Sequence, residues 1–259
     1  MGKTPSIDCI VSYLPIIVLS TTIFQIGSAW FRKWIVERRY DSGLDIHELS
    51  GRSASTVHAL FALFGSWTAL SNSPSLHTDH MFGSSPSASI VLAISSGYFV
   101  HDTIDCLRKF STAHIPYLAH HVMASLLYLA GISPCFQYWA IVLLVWEAST
   151  PFMNLRWAMI HYKMTDHRLF NAVQILFAII FVAVRNVWGG YASFLIWMEM
   201  LPLCWPGANA SLHYLIPVFI LMFNILFNTL NGYWALQIVR GFVVTYIIGR
   251  PKKTLKAQE

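Results

Sequence analysis

Two stretches decide the fold of this chain: Gly-Tyr-Phe-Val-His-Asp at residues 97–102 and Ile-Pro-Tyr-Leu-Ala-His-His-Val-Met-Ala-Ser-Leu-Leu-Tyr at residues 115–128. The second stretch is apolar enough to lie in a membrane, yet it carries His120 and His121 side by side. Ionisable side chains at membrane depth are costly and usually face the interior of a helix bundle. The pair therefore either forms a functional group in a bundle or hydrogen-bonds neighbouring helices in a structural role.

The geometry of a helix separates the two histidines, because adjacent residues point about 100° apart. Only one of them can aim straight into a cavity. His121 and Tyr128 are seven residues apart and share a face, with Ala124 and Ser125 between them. This small, polar face is suited to line a pocket.

Composition places the whole chain in a membrane. Hydrophobic residues make up 56% of the 259 residues and charged residues only 11%, whereas a soluble domain carries about 25% charge. We expect an all-α protein that crosses the membrane several times, with almost no soluble domain. The net charge of +5 does not indicate nucleic-acid binding, because the basic residues stand at the ends of apolar spans.

Apolar windows of about 20 residues, the length that spans a bilayer, predict seven transmembrane helices. They cover residues 10–31, 54–72, 88–107, 115–132, 136–159, 169–190 and 213–239. The loops after the odd-numbered spans carry Lys and Arg, such as Arg32 and Lys33 after the first span and Arg108 and Lys109 after the third, whereas the loops after the second, fourth and sixth spans carry none. By the positive-inside rule, the N-terminus is lumenal or extracellular and the C-terminus cytoplasmic.

The third span carries Asp102 and Asp105 near its basic end. We expect Asp105 to be solvated beside Arg108. Asp102 lies deeper in the span, and the sequence leaves open whether it is solvated or faces the bundle.

The fifth span contains Glu147 and Asn154, seven residues apart, with Pro151 between them. A proline removes a backbone donor and tends to kink a helix. Glu147 at mid-span needs a partner or a proton, and His120, His121 and Arg185 are its candidate partners. A purely structural buried pair is the alternative.

Two further groups of polar residues lie in the last spans. Arg185 is expected near the membrane edge, where it would bind a lipid headgroup or a carboxylate. Asn224, Asn228 and Asn231 follow the spacing i, i+4 and i+7 on one helical stripe, so they either join helices or line a shared polar cavity.

The sequence shows no metal or cofactor motif. The four cysteines, which include Cys135 and Cys204, have no CxxC spacing, and a disulfide between these two is left open. His77 and His80 form an isolated HxxH in a polar loop, which we interpret as solvated. Boxes of several histidines, as in di-iron hydroxylases, are missing, and no mid-span lysine suits a retinal Schiff base.

Four elements in order resemble a known superfamily. They are Ser96-Gly97-Tyr98 with Asp102, the pair His120-His121, the run from Glu147 to Trp157, and Leu230-Asn231-x-x-Trp234-x-x-x-Ile238. This pattern resembles the TLC-domain superfamily (TRAM/LAG/CLN type), and is most similar to its branch of small TLC domain-containing transmembrane proteins, which is related to the ceramide synthases.

The resemblance implies a division of the chain into three parts. Residues 1–46 form an N-terminal transmembrane helix and a cytoplasmic loop, 47–247 the TLC domain, and 248–259 a basic cytoplasmic tail. The domain is implied to be a bundle of six helices around a lipid cavity, located in the endoplasmic reticulum or another endomembrane.

The resemblance also implies a role in lipid homeostasis, with membrane lipids as partners. In an acyltransferase of the ceramide synthase type, His120 and His121 would be catalytic and acyl-CoA would be the co-substrate. The alternative is a lipid-binding protein without catalysis. It is favoured because Tyr128 stands where the synthase motif brings an acidic residue. The sequence leaves a homodimer open. The predicted cavity lining comprises Asp102, Tyr128, Glu147, Asn154, Arg185, Asn224, Asn228 and Asn231.

Overall fold

Long helices make up the fold of the computed structural model, which describes residues 7–38, 45–209 and 212–244. The α-helices are, in chain order, α1 (Ile7–Glu37), α2 (Ile46–Ser71), α3 (Pro74–Thr78), α4 (Pro86–Arg108), α5 (Ile115–Gly131), α6 (Gln137–Leu143), α7 (Thr150–His161), α8 (Arg168–Phe181), α9 (Gly189–Met200) and α10 (Leu215–Val243). No strand occurs within these described ranges. The predicted tail at 248–259 lies outside them.

Four helices are long and apolar enough to cross a membrane, counting only the part of the chain that is described. They are Asp8–Glu37, Pro86–Arg108, Arg168–Leu203 and Leu215–Val243. The other three predicted spans are helical as well. The second is α2, the fourth is α5, and the fifth consists of α6 and α7. The prediction of an all-α membrane protein is confirmed.

The surface of these helices is suited to lipid. Phe64 and Trp67 on α2 are 70% and 72% exposed, and Val18 and Ile26 on α1 are also exposed. A soluble monomer rarely leaves apolar side chains of this size in a continuous patch. The outer faces of the bundle therefore contact acyl chains.

The fifth span, made of α6 and α7, is interrupted near Pro151, where the sequence predicts a kink. A 3₁₀ segment, Leu144–Ser149, joins the two helices, and Pro151 stands in the first turn of α7. Proline is tolerated there because the amides of a first turn have no partner within the helix. Glu147 consequently sits in the tighter 3₁₀ turn.

The sixth span is longer than the predicted 169–190. A π-helical segment, Val182–Trp188, joins α8 to α9, and the helical path runs on to Leu203. Gly189 and Gly190 do not end the helix; Gly189 instead allows close packing, since a Cβ there would lie 2.5 Å from Nε1 of Trp146. Single π turns of this kind occur frequently at functional sites.

The central helix of the fold is α4, which packs against α1, α2 and α5. Gly97 brings α1 very close, because a Cβ at this position would lie 2.5 Å from the carbonyl oxygen of Ile17. Hydroxyls of α1 also bind the backbone of α4: Ser20 donates to the carbonyl of Ile94 at 2.8 Å and Thr21 to that of Gly97 at 2.8 Å. This contact fixes the face of α4 that carries Tyr98 and Asp102.

Candidate functional site

The adjacent histidines of α5 both point into the bundle, towards different helices. His121 places Nδ1 3.4 Å from Oδ2 of Asp102 on α4. The His120 ring lies 5.5 Å from the rings of Phe227 and Trp234 on α10, measured between ring centroids. The imidazoles themselves are 5.4 Å apart. Their divergence follows from the step of about 100° between neighbouring residues of a helix.

Asp102 is shared between His121 and a tyrosine that sequence reasoning did not assign to the site. Tyr98 donates its hydroxyl to Oδ2 of Asp102 at 2.6 Å. The two residues are one helical turn apart on α4, a spacing that could have revealed the contact. The sequence left open whether Asp102 is solvated or faces the bundle. Its side chain is only 16% exposed, so it faces the bundle.

We call Tyr98, Asp102, His120 and His121 the imidazole cluster. Within the described residues, Nδ1 of His120 and Nδ1 of His121 have no hydrogen-bond partner although both atoms are buried. Buried polar atoms are nearly always paired, so each exception needs an explanation. Nδ1 of His120 can donate a hydrogen bond to a group that enters the bundle here, or accept one from it. Nδ1 of His121 faces the Asp102 carboxylate at 3.4 Å without hydrogen-bond geometry.

A second polar cluster surrounds Arg185 in the π-helical segment. Its guanidinium donates from Nε to Oγ of Ser149 at 3.0 Å and from Nη1 to Oδ1 of Asn231 at 3.4 Å. Nη2 lies 3.7 Å from Oε1 of Glu147, whose Oε2 accepts a hydrogen bond from Thr150 at 2.8 Å. We call these five residues the arginine cluster.

The arginine cluster corrects the expected position of Arg185. The residue is only 6% exposed, so it lies inside the bundle and not at the membrane edge. The carboxylate that it pairs with is that of Glu147, for which Arg185 was one of the three predicted candidate partners. Both charges are thus paired at a depth where an isolated one would be very unfavourable.

The two clusters lie close together. They are joined through α10, on which the Phe227 ring lies 5.5 Å from the His120 ring, measured between centroids, and Asn231, one helical turn later, accepts from Arg185. The His120 ring also lies 6.2 Å from that of Phe99. Tyr128 is 5% exposed, and its ring stacks on Phe99 with 5.4 Å between centroids. Five of the predicted cavity residues therefore share one region: Asp102, Tyr128, Glu147, Arg185 and Asn231.

Asn154 lies elsewhere and joins helices. Its side-chain amide donates to the carbonyl of Arg52, to Ser55 Oγ and to Thr56 Oγ1, at 2.7–2.9 Å. Its oxygen accepts from Nη1 of Arg52 at 3.3 Å. Asn154 thus binds α7 to the first turns of α2.

Two of the three asparagines on α10 also join helices. Nδ2 of Asn224 and Nδ2 of Asn228 both donate to Ser193 on α9, at 3.0 and 2.8 Å. Trp197 donates to Oδ1 of Asn224 at 3.1 Å. Only Asn231, through its contact with Arg185, reaches the clusters.

Of the two histidines that were predicted to be solvated, His77 is exposed, whereas His80 is partly buried against α9. Nδ1 of His80 lies 3.0 Å from Oε1 of Glu199, and its ring stacks on Tyr138 with 4.0 Å between centroids. Nε2 of His77 lies 3.0 Å from the carbonyl oxygen of Leu70. The contact of His80 connects the loop to α9, and that of His77 connects it to α2, at the end of the bundle opposite the basic residues.

Asp105 is less solvated than the sequence suggested. Its Oδ1 accepts from Arg108 at 3.0 Å, as expected, but its side chain is only 13% exposed. Cys135 and Cys204 are free thiols, as are the other two cysteines of the described chain. Burial raises the pKa of Cys135, in the loop between α5 and α6, to about 12.

No group of three or more His, Cys, Asp or Glu side chains suited to a metal ion occurs in the part of the chain that the structure describes. A cavity of about 320 Å³ lies at the basic end of α4 and is not the predicted lipid cavity, since none of the predicted lining residues borders it. A lipid cavity around the two clusters therefore stays a prediction.

Taken together, the fold and the clusters define a class: an all-α membrane protein with ionisable groups paired inside its helix bundle. The TLC domain family model matches residues 48–240. The chain thus belongs to the TLC domain family.

Two of the similar curated proteins below are named for the TLC domain, and the name of the third states no reaction. The chain is 29% identical to the Saccharomyces cerevisiae protein named topoisomerase I damage affected protein 4, over 65% of this chain and 60% of that one. It is 28% identical to TLC domain-containing protein 4-B of Danio rerio, over 76% and 74%, and 31% identical to TLC domain-containing protein 1 of Gallus gallus, over 51% of both. The chain thus spans about half to three-fifths of the length of several of these relatives.

Proposed function

We propose that this protein binds a membrane lipid between its helices and contributes in this way to the lipid composition of an endomembrane such as the endoplasmic reticulum. The imidazole cluster would hold the polar headgroup. The observation that carries the proposal is the buried Nδ1 of His120, for which the described residues offer no hydrogen-bond partner. Nδ1 of His121 makes no hydrogen bond either, but it lies 3.4 Å from the Asp102 carboxylate.

The surroundings of the cluster suit an amphipathic ligand. Phe227 is 3% exposed, and with Trp234 it forms an apolar wall beside His120. A ligand with a polar group at the imidazoles and an acyl chain along this wall would satisfy both surfaces. A sphingoid base or a lysolipid has this build.

The test of lipid binding is the amount of lipid that stays with the purified protein. We expect His120→Ala to lose lipid at least about fivefold, because one lost hydrogen bond is worth about 1 kcal/mol. His77→Ala is the matched control, since it removes an exposed imidazole at the far end of the bundle. Equal lipid content in wild type and His120→Ala, at unchanged thermal stability, would contradict the proposal.

The second candidate function is acyl transfer from acyl-CoA to a long-chain amine or lysolipid. It is favoured by the contact of Asp102 with Nδ1 of His121, since a carboxylate that orients an imidazole leaves Nε2 as a general base. The amine nitrogen or hydroxyl oxygen would lose its proton to His121 and attack the thioester carbonyl. The C–S bond would break, and the CoA thiolate would leave with that proton.

Product formation separates the two functions. Purified protein would be incubated with acyl-CoA and a sphingoid amine or a lysolipid, and the acylated product measured. Product that is lost in both His121→Ala and Asp102→Asn, but kept in His77→Ala, supports the enzyme. Lipid binding without product assigns the protein to the non-catalytic function.

A further inference from the structure

A separate cavity of about 320 Å³ lies at the basic end of the bundle, where α1, α2 and α4 meet. It is lined by Arg32, Asp45, His47, Asp105, Arg108 and Lys109. None of these residues belongs to the imidazole or the arginine cluster. The cavity is thus a second place where a ligand can contact this protein.

The acidic residues of the cavity are already engaged by the protein. Oδ1 of Asp45 accepts from the backbone amides of His47 and Glu48, at 2.8 and 3.1 Å, and so caps α2. Asp105 accepts from Arg108 at 3.0 Å, and its other oxygen lies 4.0 Å from Nε2 of the buried His101. The charge of Asp105 is thus paired with Arg108, and Asp45 is held by its cap on α2.

The basic residues are less completely neutralised. Nη1 of Arg32 donates to the neutral hydroxyl of Ser50 at 3.5 Å. Among the described residues, no carboxylate forms a salt bridge with Arg32. Lys109 lies 3.9 Å from Glu48, whose other carboxylate oxygen pairs with Arg52 at 2.8 Å. The N-terminus of α2, a helix of 26 residues, adds a positive partial charge at the same place. The cavity therefore favours an anion.

Exposed apolar side chains stand close in the chain to the basic residues of the cavity. Leu107 and Phe110, which flank the two basic residues at the end of α4, are 54% and 53% exposed, and Trp30 on α1 is 64% exposed. Exposed leucine, phenylalanine and tryptophan beside arginine and lysine are typical of the layer where acyl chains meet headgroups. An anion that reaches this cavity from the membrane would come with acyl chains attached.

We propose that this cavity binds the phosphate headgroup of an anionic membrane lipid, with Arg32 and Lys109 as its principal contacts. The site is independent of the lipid bound at the imidazole cluster, so either assignment can fail alone. Bilayer lipids would occupy it from the leaflet that faces the basic loops.

The experiment uses the full chain in nanodiscs of phosphatidylcholine with a minor fraction of phosphatidic acid, and counts the phosphatidic acid retained after extraction into detergent. An arginine or lysine near an anionic surface contributes about 1 kcal/mol, which is about fivefold in affinity. We therefore expect the double variant Arg32→Gln/Lys109→Gln to retain at least about tenfold less phosphatidic acid than wild type.

Lys33→Gln is the matched control, because Lys33 follows Arg32 directly, is 76% exposed and pairs only with Glu37 among the described residues. It should retain phosphatidic acid like wild type. An equal loss in control and double variant, or no loss in the double variant, would overturn the proposal. Displacement of phosphatidic acid by millimolar inorganic phosphate would assign the cavity to a soluble phosphate and overturn the lipid assignment.

Discussion

At the scale of single residues, the arginine cluster is where a substitution should change the free energy of unfolding most. Arg185 and Glu147 face each other at 3.7 Å and are 6% and 7% exposed. Breaking a buried ion pair costs about 3–5 kcal/mol, whereas replacing both partners by apolar residues is often neutral. The pair should therefore show strong coupling.

We predict that Glu147→Gln lowers the free energy of unfolding by about 3 kcal/mol or more, because a guanidinium cannot lose its proton. Arg185→Met should cost less, since the carboxyl left behind can take up a proton. The double variant Glu147→Leu/Arg185→Met should recover most of the loss.

The measurement is a double-mutant cycle from denaturant titrations in detergent micelles. Strict additivity of the two single changes would show that the charges do not interact. The sequence indicated Glu147 and Arg185 as candidates for a pair. It did not indicate the π turn that carries Arg185 into the bundle, because nothing in the run from Val182 to Trp188 distinguishes a π turn from an α-helix.

At the scale of elements, hydropathy predicted where the helices lie better than where they end. The fifth span became two helices around a 3₁₀ segment near Pro151, which the proline indicated. The sixth span ran on past Gly189 because this glycine is used for close packing on Trp146, and glycine alone does not distinguish close packing from a helix end. The partners of His80 and Asn154 come from distant helices, so local spacing could not reveal them.

The contact of α1 with α4 offers a test at the same scale. Gly97→Ala would place a Cβ 2.5 Å from the Ile17 carbonyl oxygen and 2.7 Å from Cβ of Ser20, and neither atom is the end of a flexible side chain. We predict a loss of about 1–3 kcal/mol in unfolding free energy, the usual cost of overpacking.

Thermal unfolding of the purified protein measures this effect. Gly232→Ala on α10 is the control, because a Cβ there meets nothing within 4 Å, and alanine should stabilise that helix by up to about 1 kcal/mol. If Gly97→Ala melted at or above the temperature of wild type, the close contact of α1 and α4 would be wrong.

At the scale of the whole molecule, the distribution of Lys and Arg predicts that the basic ends of the helices face the cytoplasm. Ser111, between α4 and α5, and Thr78, in α3, are exposed near opposite ends of the bundle. In sealed microsomes, a membrane-impermeant maleimide should label a Ser111→Cys variant made in a cysteine-free background. A Thr78→Cys variant should react only after the membrane is opened, and the reverse pattern would contradict the predicted orientation.

The central claim is that a lipid lies among the helices beside the imidazole cluster, and photo-crosslinking tests it most directly. A phospholipid or sphingoid base with a diazirine in its acyl chain would be incorporated with the protein, irradiated, and the modified residues identified by mass spectrometry. We predict crosslinks to inward-facing residues such as Tyr128 and Phe227, reduced in the variant His120→Ala/His121→Ala. Crosslinks confined to outward residues such as Val18 and Phe64 would contradict the account.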